Sequence, residues 1–551
     1  MSINNNLKAI LVLFMLSFVF LMLGNNILSL TNPDEVFYAG TAKEMVQQKT
    51  WLVPYLFGKP QFEKPILTYW LLRIGFILFG ITSFSARFFP ALFAIIGIIA
   101  VYLFSLAGFG EKKKAFLCAL VLMSSGLYIG LARTVFTDMI FSVFILLSLT
   151  AFFLGYIVRS FKSQGIILFF VFSACAVLTK GPLGLLIPFI TVIVFLVIRK
   201  QLKFLFCKYS LWGLLLFILI GIPWYIYMIK RFGNSFTQEF FYNGHIRRLF
   251  QAEHRKNDSW YFYPLYIVLC AFPWTIFAVS SFANIPRKLK DKASKPMYIF
   301  LLSWVLTTFI IFQIAHSKLV SYILPLFPAL AIIIGDFIYE AGVYKKRLMS
   351  ILSTASLAVF IALPFLFLIA ALKYPMYISL SLGLYIFAVL FVIFVIAQVI
   401  ILWRKPAISP YFLAFNIIII LFAVFISHSK FDGYVSSKGA VDYLKSHGKL
   451  SGVILCSKSF VRGVRFYTSQ EVAVLNAGGG NFFSPHPIVY LNTDDKIFNF
   501  LAAQKEAYGI LNKSSFENLS RISRNGFELN LLNKVGDEYI VFVRAKTINK
   551  K

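Results

Sequence analysis

The chain has 551 residues, of which 59% are hydrophobic and 18% aromatic, and its mean hydropathy is +0.79. Runs of about 20 apolar residues span a bilayer, and no soluble domain needs so much apolar surface. The formal net charge of +31 does not indicate nucleic-acid binding, because the basic residues cluster in every second short connection, as cytoplasmic loops do. No nucleic-acid partner is therefore expected.

The apolar runs predict a mostly α-helical, polytopic membrane protein with about 13 transmembrane helices. In chain order the predicted spans are residues 7–30, 84–108, 115–131, 139–158, 165–180, 182–198, 209–229, 262–284, 297–315, 320–340, 349–372, 378–403 and 409–427. The first run is too long for a signal-peptide core and no small-residue cleavage site follows it, so we expect a retained span. The odd number places the N-terminus in the cytoplasm and the tail outside.

Two long loops, residues 31–83 and 230–261, fall on the outer face in this scheme. In the first, residues 35–48 have helical spacing. The apolar stretch 66–79 is too short to span and predicts an interfacial or re-entrant helix. The second loop mixes aromatic and basic side chains, a combination typical of the lipid headgroup zone.

The tail, residues 430–551, predicts a small soluble α/β domain, which leaves residues 1–429 as the transmembrane domain. Short apolar runs at 452–456, 472–475, 487–491 and 539–543 predict strands, and residues 434–447 and 496–504 predict helices. The tail contains one cysteine, Cys456, which excludes a disulfide within it.

Acidic residues at the outer ends of apolar helices are candidates for catalysis. Asp34 follows the first span and Asp138 precedes the fourth, and a carboxylate beside lipid is costly enough to indicate a function. Asp34 is the first choice, with Asp138 and Glu35 as further candidates. A structural alternative is open for each: Asn32, Pro33 and Glu35 suit N-cap, N1 and N3 of a helix, and Asp138 suits the start of the next span.

Several motifs, taken together, resemble one family. The opening blocks are Asp34-Glu-Val-Phe-Tyr38, Gln61-Phe-Glu-Lys-Pro65, Tyr69-Trp70 and Ser85-Ala-Arg-Phe-Phe-Pro90; the later ones are Ala132-Arg133 with Asp138, Leu178-Thr-Lys-Gly-Pro182, His245-Ile-Arg-Arg-Leu-Phe250, Trp260-Tyr-Phe-Tyr-Pro264 and Ser317-Lys-Leu-Val-Ser-Tyr322. They resemble, in the same order, the bacterial lipid A aminoarabinose transferases, which are related to protein O-mannosyltransferases. The match covers about residues 30–330. It implies a GT-C fold, a polyprenyl-phosphate sugar donor and inverting transfer on the outer face of the inner membrane.

Basic residues beside aromatics at the outer edge are candidates for binding the donor phosphate: Lys64, Arg248, Lys318 and Arg133. Negative charge develops on a departing phosphate, and fixed cations stabilise it. Arginine suits bidentate phosphate recognition, whereas lysine acts as a point charge. Alternatively, Lys64 snorkels from an interfacial helix and Arg248 binds headgroups nonspecifically, while Lys180 closes a buried ion pair with an aspartate.

Four tyrosines are substrate-binding candidates, with packing or a membrane-interface position as the alternative: Tyr38, Tyr55, Tyr69 and Tyr322. Glu63 and His245 are candidate ligands for a divalent metal such as Zn²⁺. One pair of unproven separation does not define a metal site, so no cofactor is required.

We therefore expect an integral-membrane, inverting glycosyltransferase of the bacterial inner membrane. It would move a sugar, such as aminoarabinose or galactosamine, from undecaprenyl phosphate to a lipid A phosphate on the periplasmic face. Transfer to protein Ser or Thr is the alternative within the class. A lipid or glycan transporter also fits 13 spans, but transporters place charged or broken helices near the midplane, whereas the ionisable residues here gather at the outer edge.

Overall fold

The computed structural model of the chain describes residues 3–253, 257–373, 382–448, 450, 452–476, 486, 488–504, 506–523 and 526–545. Helices dominate up to residue 446, because an apolar run in a bilayer must satisfy its backbone hydrogen bonds within itself. They are α1 (Ile3–Leu21), α2 (Asp34–Gln47), α3 (Leu67–Phe79), α4 (Ser83–Phe109), α5 (Lys112–Met123), α6 (Gly126–Ala132), α7 (Thr137–Ile157), α8 (Lys162–Lys180), α9 (Leu183–Ile198), α10 (Lys208–Gly221), α11 (Pro223–Phe232), α12 (Asn234–Thr237), α13 (Arg247–Phe250), α14 (Phe262–Cys270), α15 (Thr275–Phe282), α16 (Ile285–Lys290), α17 (Lys295–Ile314), α18 (Phe327–Tyr344), α19 (Lys346–Lys373), α20 (Leu382–Arg404), α21 (Ser409–Ile426), α22 (His428–Val435) and α23 (Lys438–Ser446). A π-helical segment, Gln238–Ile246, precedes α13, and a 3₁₀ segment, Val320–Leu326, precedes α18.

The chain is a multi-pass membrane protein. Within the described ranges, nine helical segments are long and apolar enough to cross a membrane, and up to eleven if the bent pairs α5–α6 and α14–α15 each form one span. The helices α1 and α9 are apolar but shorter. Each of the 13 predicted spans overlaps a helix, a bent pair or, at residues 209–229, the consecutive helices α10 and α11. However, α1 ends at Leu21, nine residues before the predicted end of the first span, and residues 378–381 lie outside the described ranges. The number of crossings remains a prediction.

A buried ion network around Asp336, in the middle of α18, joins four helices. Asp336 is fully buried in α18, and it pairs with Lys114 of α5 and, at 2.6 Å, with Lys288 of α16. The hydroxyl of Tyr298 in α17 donates to Asp336 at 2.5 Å. A buried carboxylate needs such partners, since removing them leaves an uncompensated charge. The network holds α5, α16, α17 and α18 together.

The tail contains the expected small α/β fold. Its six-stranded sheet has the order β5-β4-β3-β6-β8-β7, and a separate hairpin, β1 (Tyr55–Leu56) with β2 (Lys59–Pro60), lies in the first outer loop. The tail elements are β3 (Ile454–Ser457), α24 (Val461–Thr468), β4 (Val472–Leu475), β5 (Val489–Leu491), α25 (Asp494–Gln504), β6 (Glu506–Leu511), α26 (Lys513–Ser523), β7 (Phe527–Val535) and β8 (Glu538–Ala545). The strands β3, β4, β5 and β6 are parallel, and β8 is antiparallel to both β6 and β7. Pro487 of one predicted strand lies outside the described residues, and the predicted domain boundary at 429/430 falls within α22.

The tail is docked on the first outer loop. Hydrogen bonds join the tail to this loop and to the two residues before it, among them Ser29 N to Asp432 Oδ1 (2.9 Å), Leu30 N to Tyr467 Oη (3.0 Å), Asn32 N to Val435 O (2.8 Å) and Asn32 Nδ2 to Ser437 Oγ (2.7 Å). At Gly463 of α24 the backbone approaches so closely that a Cβ would lie 2.1 Å from Asn32 Oδ1. Only glycine fits this contact without a shift of the loop. The tail therefore has a fixed position over the start of α2.

Candidate active site

The first outer loop presents Asp34 at the start of α2. The predicted N-cap, Asn32, does not cap the helix: Pro33 occupies that position without a side-chain cap, and the Asn32 amide bonds to Ser437 instead. The side chain of Asp34 is 57% exposed, and its Oδ1 lies 3.8 Å from Arg462 Nη1. Asp34 is thus an accessible carboxylate on a rigid helix terminus, which suits contact with a substrate.

Glu35, by contrast, is fully buried and bound on both oxygens. Oε1 accepts from Arg87 Nε at 2.8 Å and from Val135 N at 2.9 Å, while Oε2 accepts from Arg87 Nη2 at 2.6 Å and from Thr31 N at 2.9 Å. These bonds tie α2 to α4 and to the connection before α7. They indicate a structural role for Glu35 in place of the catalytic one that the sequence suggested, because both of its oxygens are already occupied.

Asp138 lies in the first turn of α7 and is also buried. Lys180, at the end of α8, donates from Nζ to Asp138 Oδ1 at 2.5 Å, which confirms the ion pair suggested for Lys180. The same ammonium lies 4.1 Å from the ring centroid of Tyr322. Asp138 makes no side-chain cap. Its carboxylate instead holds a cation at the edge of a cavity.

That cavity, of about 260 Å³, brings together chain segments that are far apart in sequence. Its polar lining consists of Glu63, Lys64, Lys180, His245, Arg248, Ser317 and Tyr322. Its apolar wall includes Leu183, Leu186, Leu249, Ile311 and Phe312. Cations beside an apolar wall suit an anion carried on a hydrocarbon chain, because each part of such a ligand meets matching chemistry.

The surroundings of the cavity change the acidity of its groups. Burial and the nearby charge of Arg248 lower the pKa of Lys64 to about 8. Burial raises the pKa of Glu63, although Lys64 opposes this change. Burial lowers the pKa of His245, whose Nδ1 lies 2.8 Å from the Phe240 carbonyl oxygen. A bound anion would relieve the repulsion between Lys64 and Arg248.

The cation of Arg248 is fixed by its own partners. Nη2 lies 3.1 Å from Glu253 Oε2, and the Arg248 carbonyl accepts from Ser317 N at 3.1 Å. Arg248 lies on α13, directly after the π-helical segment that carries His245. The guanidinium is therefore pre-oriented at the cavity, which reduces the entropy lost when it binds a ligand.

The other two predicted phosphate-binding residues are not among those that line the cavity. Arg133 donates from Nη1 to the Phe20 carbonyl at 2.8 Å and from Nη2 to that of Leu23, with its guanidinium 4.7 Å from the ring centroid of Phe425. Lys318 Nζ lies 3.0 Å from Asp258 Oδ1. Both cations hold helix ends or loops in place.

The four candidate tyrosines separate into three positions. Tyr322 lines the cavity. Tyr38 and Tyr69 are buried, with ring centroids 6.3 Å apart. Tyr55 belongs to the β1–β2 hairpin, where it pairs with Pro60. Tyr322 is therefore the tyrosine placed to contact a ligand in this cavity.

The candidate metal ligands Glu63 and His245 line the same cavity. The described part of the chain contains no group of three His, Cys, Asp or Glu side chains arranged to hold a metal, and a catalytic zinc site takes three protein ligands. The backbone at Gly181, with φ +85°, packs closely against the His245 ring. A Cβ atom on residue 181 would lie 2.6 Å from His245 Nε2.

Comparisons with known proteins agree with this architecture. The sequence profile of the dolichyl-phosphate-mannose-protein mannosyltransferase family matches residues 9–236. An undecaprenyl phosphate-alpha-4-amino-4-deoxy-L-arabinose arabinosyl transferase from Shewanella sediminis is 34% identical over 362 residues, which cover 64% of this chain and 64% of that protein. An uncharacterized protein from Aquifex aeolicus is 35% identical, over 60% of this chain and 73% of its own length. The match thus spans slightly less than two thirds of the length of the named transferase.

The crystal structure of ArnT from Cupriavidus metallidurans bound to undecaprenyl phosphate has the same fold. Its TM-score is 0.77 at 18% identity, with 98% of both chains covered. The fold is thus that of a polytopic membrane protein of GT-C type. Over about 60% of its length the chain is similar to aminoarabinose arabinosyl transferases and to the Aquifex aeolicus protein.

Proposed function

We propose that the protein transfers a sugar, such as aminoarabinose or another amino sugar, from undecaprenyl phosphate to a lipid A phosphate on the periplasmic face of the inner membrane. The observation that supports this most directly is the cavity in which Lys64 and Arg248 meet an apolar wall. Related transferases are named for undecaprenyl phosphate-linked aminoarabinose, which supports undecaprenyl phosphate as the carrier of the donor sugar. In this topology the N-terminus is cytoplasmic and residues 430–551 form a periplasmic domain.

In the proposed reaction the bond between the anomeric carbon and the donor phosphate oxygen breaks, and an acceptor oxygen forms the new bond from the opposite face. The electron pair of the broken bond stays on the departing undecaprenyl phosphate, whose growing charge Lys64 and Arg248 stabilise. Tyr322 borders the same cavity. A lipid A phosphate is largely ionised at neutral pH, so Asp34 positions the acceptor or balances charge on the sugar. With a hydroxyl acceptor, Asp34 would act as a general base.

The first test is transfer by the purified chain in detergent. We expect a sugar-modified lipid A, detected by mass spectrometry, from polyprenyl-phosphate sugar and lipid A without nucleotide, ion gradient or sealed vesicles. A parallel reaction with a Ser/Thr peptide distinguishes protein from lipid as the acceptor. Failure of every donor in detergent, together with uptake of a lipid-linked sugar into proteoliposomes, would favour the transporter instead.

The partly buried ammonium of Lys64 predicts an alkaline limit to activity. Because its pKa is about 8, Lys64 is protonated below that pH and loses its charge as the pH rises through it. We expect kcat/KM for the donor, which reports the free enzyme, to fall above about pH 8. Lys64→Arg should keep activity to higher pH, since arginine stays charged. Lys59→Arg, on the exposed β2, is the control and should leave the profile unchanged; an unshifted profile in Lys64→Arg would contradict the assignment.

A further inference from the structure

A cation from the tail domain reaches the proposed catalytic carboxylate. Arg462, in the first turn of α24, has its Nη1 3.8 Å from Asp34 Oδ1, and the same nitrogen donates to the Pro33 carbonyl at 3.5 Å. The centre of its guanidinium lies 4.8 Å from the ring centroid of Phe37. The Arg462 side chain is only 11% exposed, against 57% for Asp34. The largely buried guanidinium of Arg462 therefore lies beside the more exposed carboxylate of Asp34.

The guanidinium is also held from the tail side. Its Nε donates to His486 Nε2 at 3.0 Å. Burial and the charge of Arg462 lower the pKa of His486 to about 3, so the imidazole stays neutral and Nε2 remains an acceptor. The His486 ring packs against Phe37 and Phe57, with centroid distances of 6.1 and 5.2 Å. The direction of the Arg462 side chain is therefore set before a substrate arrives.

A second ion pair, one helical turn along α24, secures the docking. Arg465 Nε lies 3.3 Å from Glu44 Oε1 in α2. The Glu44 carboxylate also accepts from the backbone N–H groups of Phe57 and Gly58, at 3.0 and 2.8 Å. This pair joins the same two helices as Arg462 and Asp34 do, but at a distance from Asp34. It provides a matched comparison for the role of Arg462.

We propose that Arg462 is a positioning residue for Asp34, so that the C-terminal domain completes the active site; this inference rests on the proposed function. An arginine beside a carboxylate favours its ionised form and restricts its orientation. The charge of Arg462 also opposes the rise in the pKa of Glu63, which places it within electrostatic range of the cavity. The tail therefore acts on the chemistry as well as on the shape of the outer face.

The experiment compares Arg462→Gln, Arg462→Lys and Arg465→Gln in the full chain, with kcat and donor KM measured in the detergent transfer assay. Loss of a charge-assisted contact should lower kcat about tenfold in Arg462→Gln, with the donor KM unchanged because the donor phosphate meets other cations. Arg462→Lys should recover most of the loss. Arg465→Gln should retain the wild-type kcat. The melting temperature of each variant checks folding.

Two results would overturn the inference while the wild-type chain is active. One is a wild-type kcat in Arg462→Gln. The other is an equal loss in Arg462→Gln and Arg465→Gln without recovery in Arg462→Lys, which would leave only a docking role. An inactive wild-type chain would overturn the proposed function and this role with it, so the two failures are distinguishable.

Discussion

Asp34→Asn is expected to reduce sugar transfer by about 10²–10³-fold, the loss typical of removing one group that stabilises developing charge, while expression and membrane insertion stay normal. The substitution keeps the shape of an exposed side chain and removes its charge. If Asp34 had a purely structural role, the substitution would lower the free energy of unfolding by only about 0.2–1 kcal/mol, the contribution of an exposed ion pair. The rate of sugar transfer would then change little. Initial rates with lipid A as acceptor provide the measurement.

The chain offers a matched control for this variant. Asp494 also begins a helix, α25, is also 57% exposed, and pairs with Arg521 at 2.9 Å. Asp494→Asn should retain full activity, because it removes an equivalent surface charge from a residue that does not line the cavity. Near-normal turnover in Asp34→Asn would contradict the catalytic assignment and leave Asp34 with only a structural role at the start of α2.

Arg248→Ala is expected to lower turnover by about 10²–10³-fold, because a donor aimed at developing charge is typically worth that much. Arg247→Ala, on the same short helix, is the control: Arg247 bonds to Gln251 and is not among the residues that line the cavity. Lys64→Ala should also lower turnover. If both cations contact one phosphate, the double variant should lose less than the sum of the two free-energy effects. Full activity in Arg248→Ala would place the donor phosphate elsewhere.

The sequence predicts the membrane part well because hydropathy is a local property. A helix such as α4 follows from its own apolar residues, whatever it packs against. The tail is harder: the apolar pattern predicts neither β6 (Glu506–Leu511) nor β7 (Phe527–Val535), and β7 carries polar residues and exposes most of one face. Its strand identity depends on pairing with β8, a contact that no short window of sequence contains.

The site shows the same limit. The resemblance and the positions beside aromatics singled out Lys64, Arg248 and Tyr322, which the fold brings to one cavity. Those signals did not separate them from Arg133 and Lys318, because the local sequence does not show in which direction a cation points. The contribution of Arg462 has no sequence signal of its own: 429 residues separate it from its partner Pro33.

The docking of the tail on the first outer loop also sets the order in which the protein is completed during its synthesis. Ser29 and its partner Asp432 are 403 residues apart, and Leu30 and Tyr467 are 437 apart. At about 5–20 residues per second, the ribosome adds these partners roughly 20–90 s after the loop. Throughout that interval the nascent chain contains Asp34 but not yet Arg462, its neighbour in the folded protein. A chain that stops before α24 lacks Arg462, and with it the last component of the proposed catalytic centre.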